Sequence, residues 1–346
     1  MIDLIKKHLE SYPKMEIQDV MKLLYQSEFG GGHLISNEEM SLKRIQEEYE
    51  HMNVEDMVCM SVIEPIGDKM CRIYLSAIAN GMKPEVLNQI FVKSANHRTG
   101  SVTGLEEKLN QLMQACEQGK LPFEASSVKT VWDEWREEGY PAKSHSVTYR
   151  EAYHPAYRVI EASYSQIYDV ICEVENVDRP FIVGIDGMSS SGKTTMGNLL
   201  KLNYPEANLF HMDDYFLQPH QRTAERLAEA GGNVDYERIY EEILSKLLDR
   251  NGLTYRAYDC QTQSVGAEQF VPWSPLVFVE GCYSHHPYFG NPYDLRVFAE
   301  ISAEEQVERI RKRNGEKMLK RFVEEWIPRE NQYFETYKIK EKSGLQ

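Results

Sequence analysis

Several familiar signals are missing from this 346-residue chain, and each absence narrows what it can be. No apolar run approaches the roughly 20 residues a membrane-spanning helix needs. The opening MIDLIKKHLESYPKMEIQ lacks the continuous apolar core of a secretion signal, so a cytoplasmic protein is expected. Basic charge is scarce, with 39 Lys and Arg against 54 Asp and Glu and a formal net charge of −15. Nucleic acids and anionic membranes are bound through clustered Lys and Arg, so neither is expected as a partner. The cysteines (Cys59, Cys71, Cys116, Cys172, Cys260 and Cys282) include no C-x-x-C pair. Reduced thiols are expected rather than a zinc site or a disulfide framework. The spacing H-x-x-x-H is absent too, as are internal repeats and low-complexity segments.

What is present fits a two-domain globular protein, with 42% hydrophobic and 27% charged residues. Residues 1–176 read as a mainly helical domain. Apolar residues recur at helical spacing in IQDVMKLLYQSEF (Ile17, Val20, Met21, Leu24) and in GLEEKLNQLMQAC (Leu105, Leu109, Leu112, Met113). Thr103 and Glu106 have the spacing of a capping box at the second helix start. One β-hairpin is expected in MVCMSVIEPIGDKMCRIYL, turning at Gly67-Asp68. A last helix is expected over about Ala156 to Val174, before the charged, Pro-ended ENVDRP that marks the boundary. Gly30, Gly31, Gly32 and His33 resemble a phosphate loop, but no Lys or Ser/Thr follows in register, and glycine past a helix end explains them. His97, Arg98, His145, His154, Tyr157 and Arg158 gather around turns. They suit an anion or ligand pocket, or more plainly a Pro-opened helix with surface His and Arg.

From residue 177 the pattern changes to short apolar runs alternating with helical segments. FIVGID, NLFHMD, PLVFVEG and DLRVFAEI read as strands buried on both faces, with ERIYEEILSKLLD and AEEQVERIRKRN as helices. Strand and helix in alternation predict a parallel α/β sheet of the P-loop NTPase type over 177–346. Its first strand runs into Gly187-Met188-Ser189-Ser190-Ser191-Gly192-Lys193-Thr194, which meets G-x-x-x-x-G-K-[ST] at every fixed position. Glycines let the backbone curl so that the N–H groups of Ser189 through Thr195 can face phosphate oxygens, backed by a helix dipole. Lys193 would reach the β and γ phosphates and the Thr194 hydroxyl would ligate Mg²⁺, making ATP and magnesium the expected cofactors. Met196, Leu199 and Leu200 would share the buried face of the helix that follows.

The chain lacks the N-K-x-D of guanine-nucleotide switches and the LSGGQ of ABC ATPases, and its strand ends FVEG rather than in Asp-Glu. A small-molecule kinase remains. Asp213 and Asp214 stand where a strand ends on the phosphate edge, and one of them can accept the proton of an attacking hydroxyl. In order, GIDGMSSSGKTT, HMDDYF, NVDYERI, YRAYD, VFVEG and VERIRKRN resemble the uridine kinase/phosphoribulokinase family over about 178–340, nearest its uridine kinase branch. The resemblance implies Asp213 as general base and Glu280 as the acid near Mg²⁺, acting through water. It also implies Asp235 as a holder of ribose hydroxyls and the pair Tyr258-Asp259 as lining for a nucleoside pocket. Arg309, Arg313, Lys317 and Arg321 fall in the region of the family's arginine-rich lid, though their spacing of four also suits one solvated basic helix face.

Three departures qualify that reading. Gln263 stands where the family has a base-contacting histidine, RNGEKMLKRF lacks the usual lid wording, and no closing strand is evident in YKIKEKSGLQ. The expected activity is phosphoryl transfer from ATP to a hydroxyl of a small molecule, with a nucleoside (uridine by default) as first acceptor. A non-nucleoside alcohol such as a sugar, a glycerate or a pantothenate-like acid is the alternative. A nucleotide-gated regulator is a third reading, disfavoured because a sensor needs no Asp213. Self-association into a homo-oligomer is left open.

Overall fold

Glu16 and Asp19 start the first long helix by capping one another's backbone, the Glu16 N–H meeting an Asp19 carboxylate oxygen at 3.0 Å. In this computed structural model residues 1–52, 61–177 and 180–346 are described. The chain divides into two units, Met1–Cys172 and Glu173–Gln346, where a boundary between 176 and 177 was expected. In the first unit α1 (Ile2–Ser11), α2 (Ile17–Phe29) and α3 (Glu38–Glu50) precede the hairpin β1 (Ile63–Gly67) and β2 (Met70–Tyr74). Then come α4 (Ser76–Ala79), α5 (Pro84–His97), α6 (Val102–Glu117), α7 (Ala125–Glu137), α8 (Val147–Tyr153), β3 (Tyr157–Glu161) and α9 (Ser165–Glu175). The three strands form one antiparallel sheet in the order β1-β2-β3. Val20 and Leu24 of α2 pack with Leu105, Leu109 and Trp135 in its core.

The expected hairpin forms about Gly67 and Asp68, while residues 57–60 of its leading run lie outside the described residues. Gly30 ends α2 at φ +67°, its N–H on the Gln26 carbonyl, as the helix-end reading of the glycines requires. Two expectations fail. The cap of α6 is Ser101, whose hydroxyl accepts from the Gly104 N–H at 2.9 Å; Thr103 lies inside the helix. The helix expected from Ala156 is preceded by β3, and α9 begins only at Ser165. Pro155 suggested a helix start, but the β-branched Val159 and Ile160 behind it bury against Arg72 and Cys71 of β2. His145 and Arg158, read as surface residues, are each 5% exposed.

The second unit is built on β4 (Phe181–Gly187), α10 (Lys193–Asn203), β5 (Asn208–His211), α11 (Ala224–Ala228) and α12 (Tyr236–Glu242). It continues through the short pairs β6 (Leu253–Tyr255) with β9 (Gln269–Val271) and β7 (Tyr258–Asp259) with β8 (Ser264–Val265). It then runs through β10 (Leu276–Glu280) and β11 (Leu295–Ala299), and ends in α13 (Ala303–Arg321) and α14 (Ile327–Tyr337). The main sheet is parallel throughout, in the order β11-β4-β10-β5. Every residue of its central strands β4 and β10 is buried, which is why both read as unbroken apolar runs. Met196, Leu199 and Leu200 bury one face of α10, which packs on β10 and β5. The missing closing strand is replaced by a single parallel bridge, Leu345 beside Val297, with the Phe298 N–H on the Leu345 carbonyl.

Candidate active site

The phosphate loop leaves β4 at Gly187, whose φ of +143° disfavours other residues. A Cβ there would lie 2.1 Å from the Ala299 carbonyl oxygen of β11. The Met188 N–H meets that same oxygen at 3.1 Å, tying the start of the loop to the sheet. Ser190 (φ +62°) and Gly192 (φ +104°) turn the chain before α10 begins at Lys193. The Lys193 side chain folds back into the loop, its ammonium donating to the carbonyls of Gly187 at 2.9 Å and Met188 at 2.8 Å. Ser189 is gripped from outside by Glu330 of α14, which accepts from its N–H at 3.0 Å and from its hydroxyl. Burial pushes the Glu330 carboxyl up, with Lys193 pulling it back. The hydroxyls of Ser190 and Ser191 have no partner among the described residues.

The sheet edge supplies the acids. Register puts Glu280, the last residue of β10, beside His211, the last of β5. Their side chains meet at 2.5 Å, and the other Glu280 oxygen accepts from the Thr194 hydroxyl at 3.3 Å. The hydrogen bond to Glu280 holds the His211 imidazole above its ordinary pKa, against the burial that lowers it. A tight turn then carries Asp213 and Asp214. The Asp213 carboxyl is raised, first by the protein crowded around it and then by Glu280, while Lys193 opposes. Asp213 itself remains exposed to solvent. Lys193, Thr194, Asp213 and Glu280 therefore converge at the carboxyl ends of β4, β5 and β10. No group of three or more His, Cys, Asp or Glu among the described residues is placed to hold a metal. A bound Mg²⁺ would rely on the Thr194 hydroxyl, Glu280 and the phosphates themselves, as is usual for this ion.

The remaining candidates are placed less simply. Asp235 caps α12, one oxygen on the Arg238 N–H and the other on the Gln221 amide and Arg238 guanidinium, so both oxygens already have partners. The Tyr258 hydroxyl accepts from Arg222 at 2.9 Å. Asp259 is turned into the β7–β8 connection, accepting from the Gln261 N–H and Thr262 hydroxyl, and Gln263 holds φ +53° in that turn. Of the lid candidates Arg309 reaches the phosphate loop, at 3.4 Å from the Ser190 carbonyl. Arg313 bonds Asn314, and Arg321 lies near Glu325 and over Trp326. Gly315 at φ +76° kinks α13, so Lys317 and Arg321 do not continue the helix face of Arg309 and Arg313.

Three groups had escaped notice. Asp186, fully buried at the end of β4, accepts from the N–H groups of Gly187, Tyr283 and His285 and from the Tyr333 hydroxyl. An acid inside the apolar run FIVGID was its only sign. Glu330 stands one helical turn before Tyr333 on the same face of α14, a spacing that carries meaning only once the loop beneath is known. Arg222 donates to the Leu217 carbonyl at 3.0 Å and to the Tyr258 hydroxyl at 2.9 Å, which brings a cation to β7.

No protein-family profile and no curated protein matches the chain. Among solved structures it is similar to a possible uridine kinase from Bacillus stearothermophilus, with 21% identity and a TM-score of 0.42 over 52% of this chain and 97% of that one. It is also similar to a candidate fructose transport system kinase from a Silicibacter species, with 16% identity and a TM-score of 0.41 over 53% of this chain and 96% of that one. Likeness at this level has no weight on activity or substrate. The parallel sheet order and the phosphate loop from β4 to α10 give residues 173–346 a P-loop type α/β fold.

Proposed function

We propose that the second unit transfers the γ-phosphoryl group of ATP to a hydroxyl of a small molecule. The observation that supports this most is the meeting of Asp213 with Lys193, Thr194 and Glu280 at one sheet edge. The loop suits a phosphate chain: positive φ values at Gly187, Ser190 and Gly192 curl it ahead of α10, and the Ser190 and Ser191 hydroxyls lack partners among the described residues. ATP supplies the transferable group and Mg²⁺ the neutralising charge. Lys193 balances negative charge on the phosphate oxygens, and its anchoring to the loop carbonyls fixes it there in advance. Asp213, its carboxyl raised above the usual range by the protein around it, takes the proton of the acceptor hydroxyl as it attacks. Glu280 orients Thr194 on one side and His211 on the other.

A nucleoside is the first acceptor on the sequence resemblance, Tyr258 being its wall. A second reading, a hydroxylated acid, is favoured by Arg222, a cation that touches only Tyr258 and the Leu217 main-chain carbonyl among the described residues. ADP release with nucleosides, sugars and hydroxy acids tests both. Turnover lost in Asp213→Asn supports the proposal. If ATP binds but no acceptor releases ADP above background, the kinase reading fails and the regulator reading takes its place.

A further inference from the structure

Glu330 takes donors of the phosphate loop that a phosphate would use. Ser189 is the third residue of that loop, and such a loop offers amides and hydroxyls to phosphate oxygens. One Glu330 oxygen accepts from the Ser189 N–H at 3.0 Å and the other accepts from the Ser189 hydroxyl. Both oxygens of one anion are thereby seated on a single residue. Gln306 of α13 takes the remaining polar group, its amide donating to the Ser189 carbonyl at 3.0 Å. Arg309 follows on the same helix, 3.4 Å from the Ser190 carbonyl. Two helices from the end of the chain thus close on one turn of the loop.

A holding role accounts for part of this. Tyr333, one helical turn after Glu330, donates to Asp186 at 2.8 Å and pins α14 to the end of β4. It does not account for the charge. Glu330 is 6% exposed and lies in the field of a second buried acid, Asp186. A buried carboxylate is costly unless a cation meets it, and a neutral glutamine would accept from the Ser189 N–H without that cost. Lys193 offsets the charge through space, but its own bonds go to the Gly187 and Met188 carbonyls.

The helices also have joints where a release can occur. The later turns of α14 are anchored, because Tyr333, Phe334 and Tyr337 pack in the main core of the unit. Ahead of Glu330 the packing changes. Phe322, Trp326 and Ile327 belong to a separate small cluster with Ile310 and Leu319 of α13. A π-helical turn at Phe322–Trp326 and the kink at Gly315 interrupt the regular helix on that side.

We propose that Glu330 is an autoinhibitory ligand of the phosphate loop, and that a nucleotide phosphate displaces it from Ser189 and so unlatches the start of α14. A phosphate brought to the same donors meets the carboxylate with like charge, and the loop does not hold both anions at once. Giving up two bonds to Ser189 weakens nucleotide binding by whatever they contribute. The proposal rests on the loop holding nucleotide phosphate, and not on transfer to an acceptor.

The test uses the full chain and AMP-PNP with Mg²⁺, followed by calorimetry and by hydrogen exchange over residues 322–332. As AMP-PNP binds to wild type, exchange in that segment should rise by about tenfold. In Glu330→Ala it should be raised before nucleotide is added, and AMP-PNP should bind about tenfold tighter or more. Glu335→Ala removes an exposed acid from the same helix and should leave affinity unchanged. The wild-type exchange decides the matter even if Glu330→Ala does not fold. Exchange that stays level or falls as AMP-PNP binds overturns the proposal. So does equal affinity in wild type and Glu330→Ala, since the carboxylate then yields freely, or an equal gain in Glu335→Ala, which would mark a general charge effect. If AMP-PNP does not bind wild type at all, the phosphate-loop reading falls and takes the proposal with it.

Discussion

Replacing Gly187 by alanine separates the folding role of the phosphate loop from its binding role, and the geometry sets the size of the effect. The added Cβ would stand 2.1 Å from the Ala299 carbonyl oxygen and 2.7 Å from the Ala299 nitrogen. Contact between such atoms begins near about 3.3 Å, so β4 and β11 would have to part by roughly 1 Å where they pair. The bond from the Met188 N–H to Ala299 would go with it, at about 1 kcal/mol. Overpacking adds roughly 1–3 kcal/mol, and alanine at φ +143° about 1–2 kcal/mol more. A loss of about 4 kcal/mol lowers the melting temperature of a unit this size by roughly 8–16 °C. Gly192→Ala is the control: its φ is +104°, but nothing lies within 4 Å of the added atom. It should cost only about 1–2 kcal/mol of backbone strain and act mainly on ADP affinity. Calorimetry, with hydrogen exchange to assign the loss to residues 173–346, decides the matter. A Gly187→Ala protein that melts with wild type would show that β11 yields freely and that the argument is wrong.

Asp213→Asn should lower kcat by two or more orders of magnitude and leave ATP affinity within about threefold, read from steady-state kinetics and nucleotide titration. Glu330→Gln keeps an acceptor for Ser189 but removes a charge beside Lys193, so ATP should bind about tenfold tighter at pH 8 by calorimetry; unchanged affinity would mean the carboxylate moves aside on binding. His145 adds a pH term of known sign. Its folded pKa is lowered from 6.5 to about 4, chiefly by burial, so between those values the unfolded chain takes up a proton the folded one refuses. Stability should fall by about 2 kcal/mol from pH 7 to pH 5 on this account, and the slope should flatten in His145→Gln, measured by urea unfolding at each pH. The depressed pKa of Asp19 acts only as pH falls further, through the folded carboxylate range, and does not cancel it.

The second unit was legible where physics acts locally. Strands buried on both faces must be apolar throughout, so β4 and β10 stood out, and a phosphate loop needs particular residues at particular steps. Where a residue's role depends on what faces it, the pattern was silent. Glu330 is one acid among many on a polar helix, and only the loop beneath gives it a task. Arg309, Arg313, Lys317 and Arg321 keep a spacing of four, yet Gly315 in their midst breaks the shared face. In the first unit, Pro155 and polar neighbours hid a strand whose evidence is its pairing with Arg72 and Cys71. His145 could not be told from a surface histidine until Asp19, 126 residues away in sequence, was placed against it.

The bridge between Leu345 and Val297 also bears on how the molecule behaves in company. A strand at the rim of a sheet offers unpaired amides and carbonyls to any other chain that can lie alongside. Here Gly344 and Leu345 take the Arg296 carbonyl and the Phe298 N–H from that rim. Shortening the chain by these few residues would leave β11, with its buried Val297 and Phe298, bordered by an open template. The expected result is self-association at concentrations where the intact protein stays dispersed, even though every residue of the phosphate loop would be unchanged.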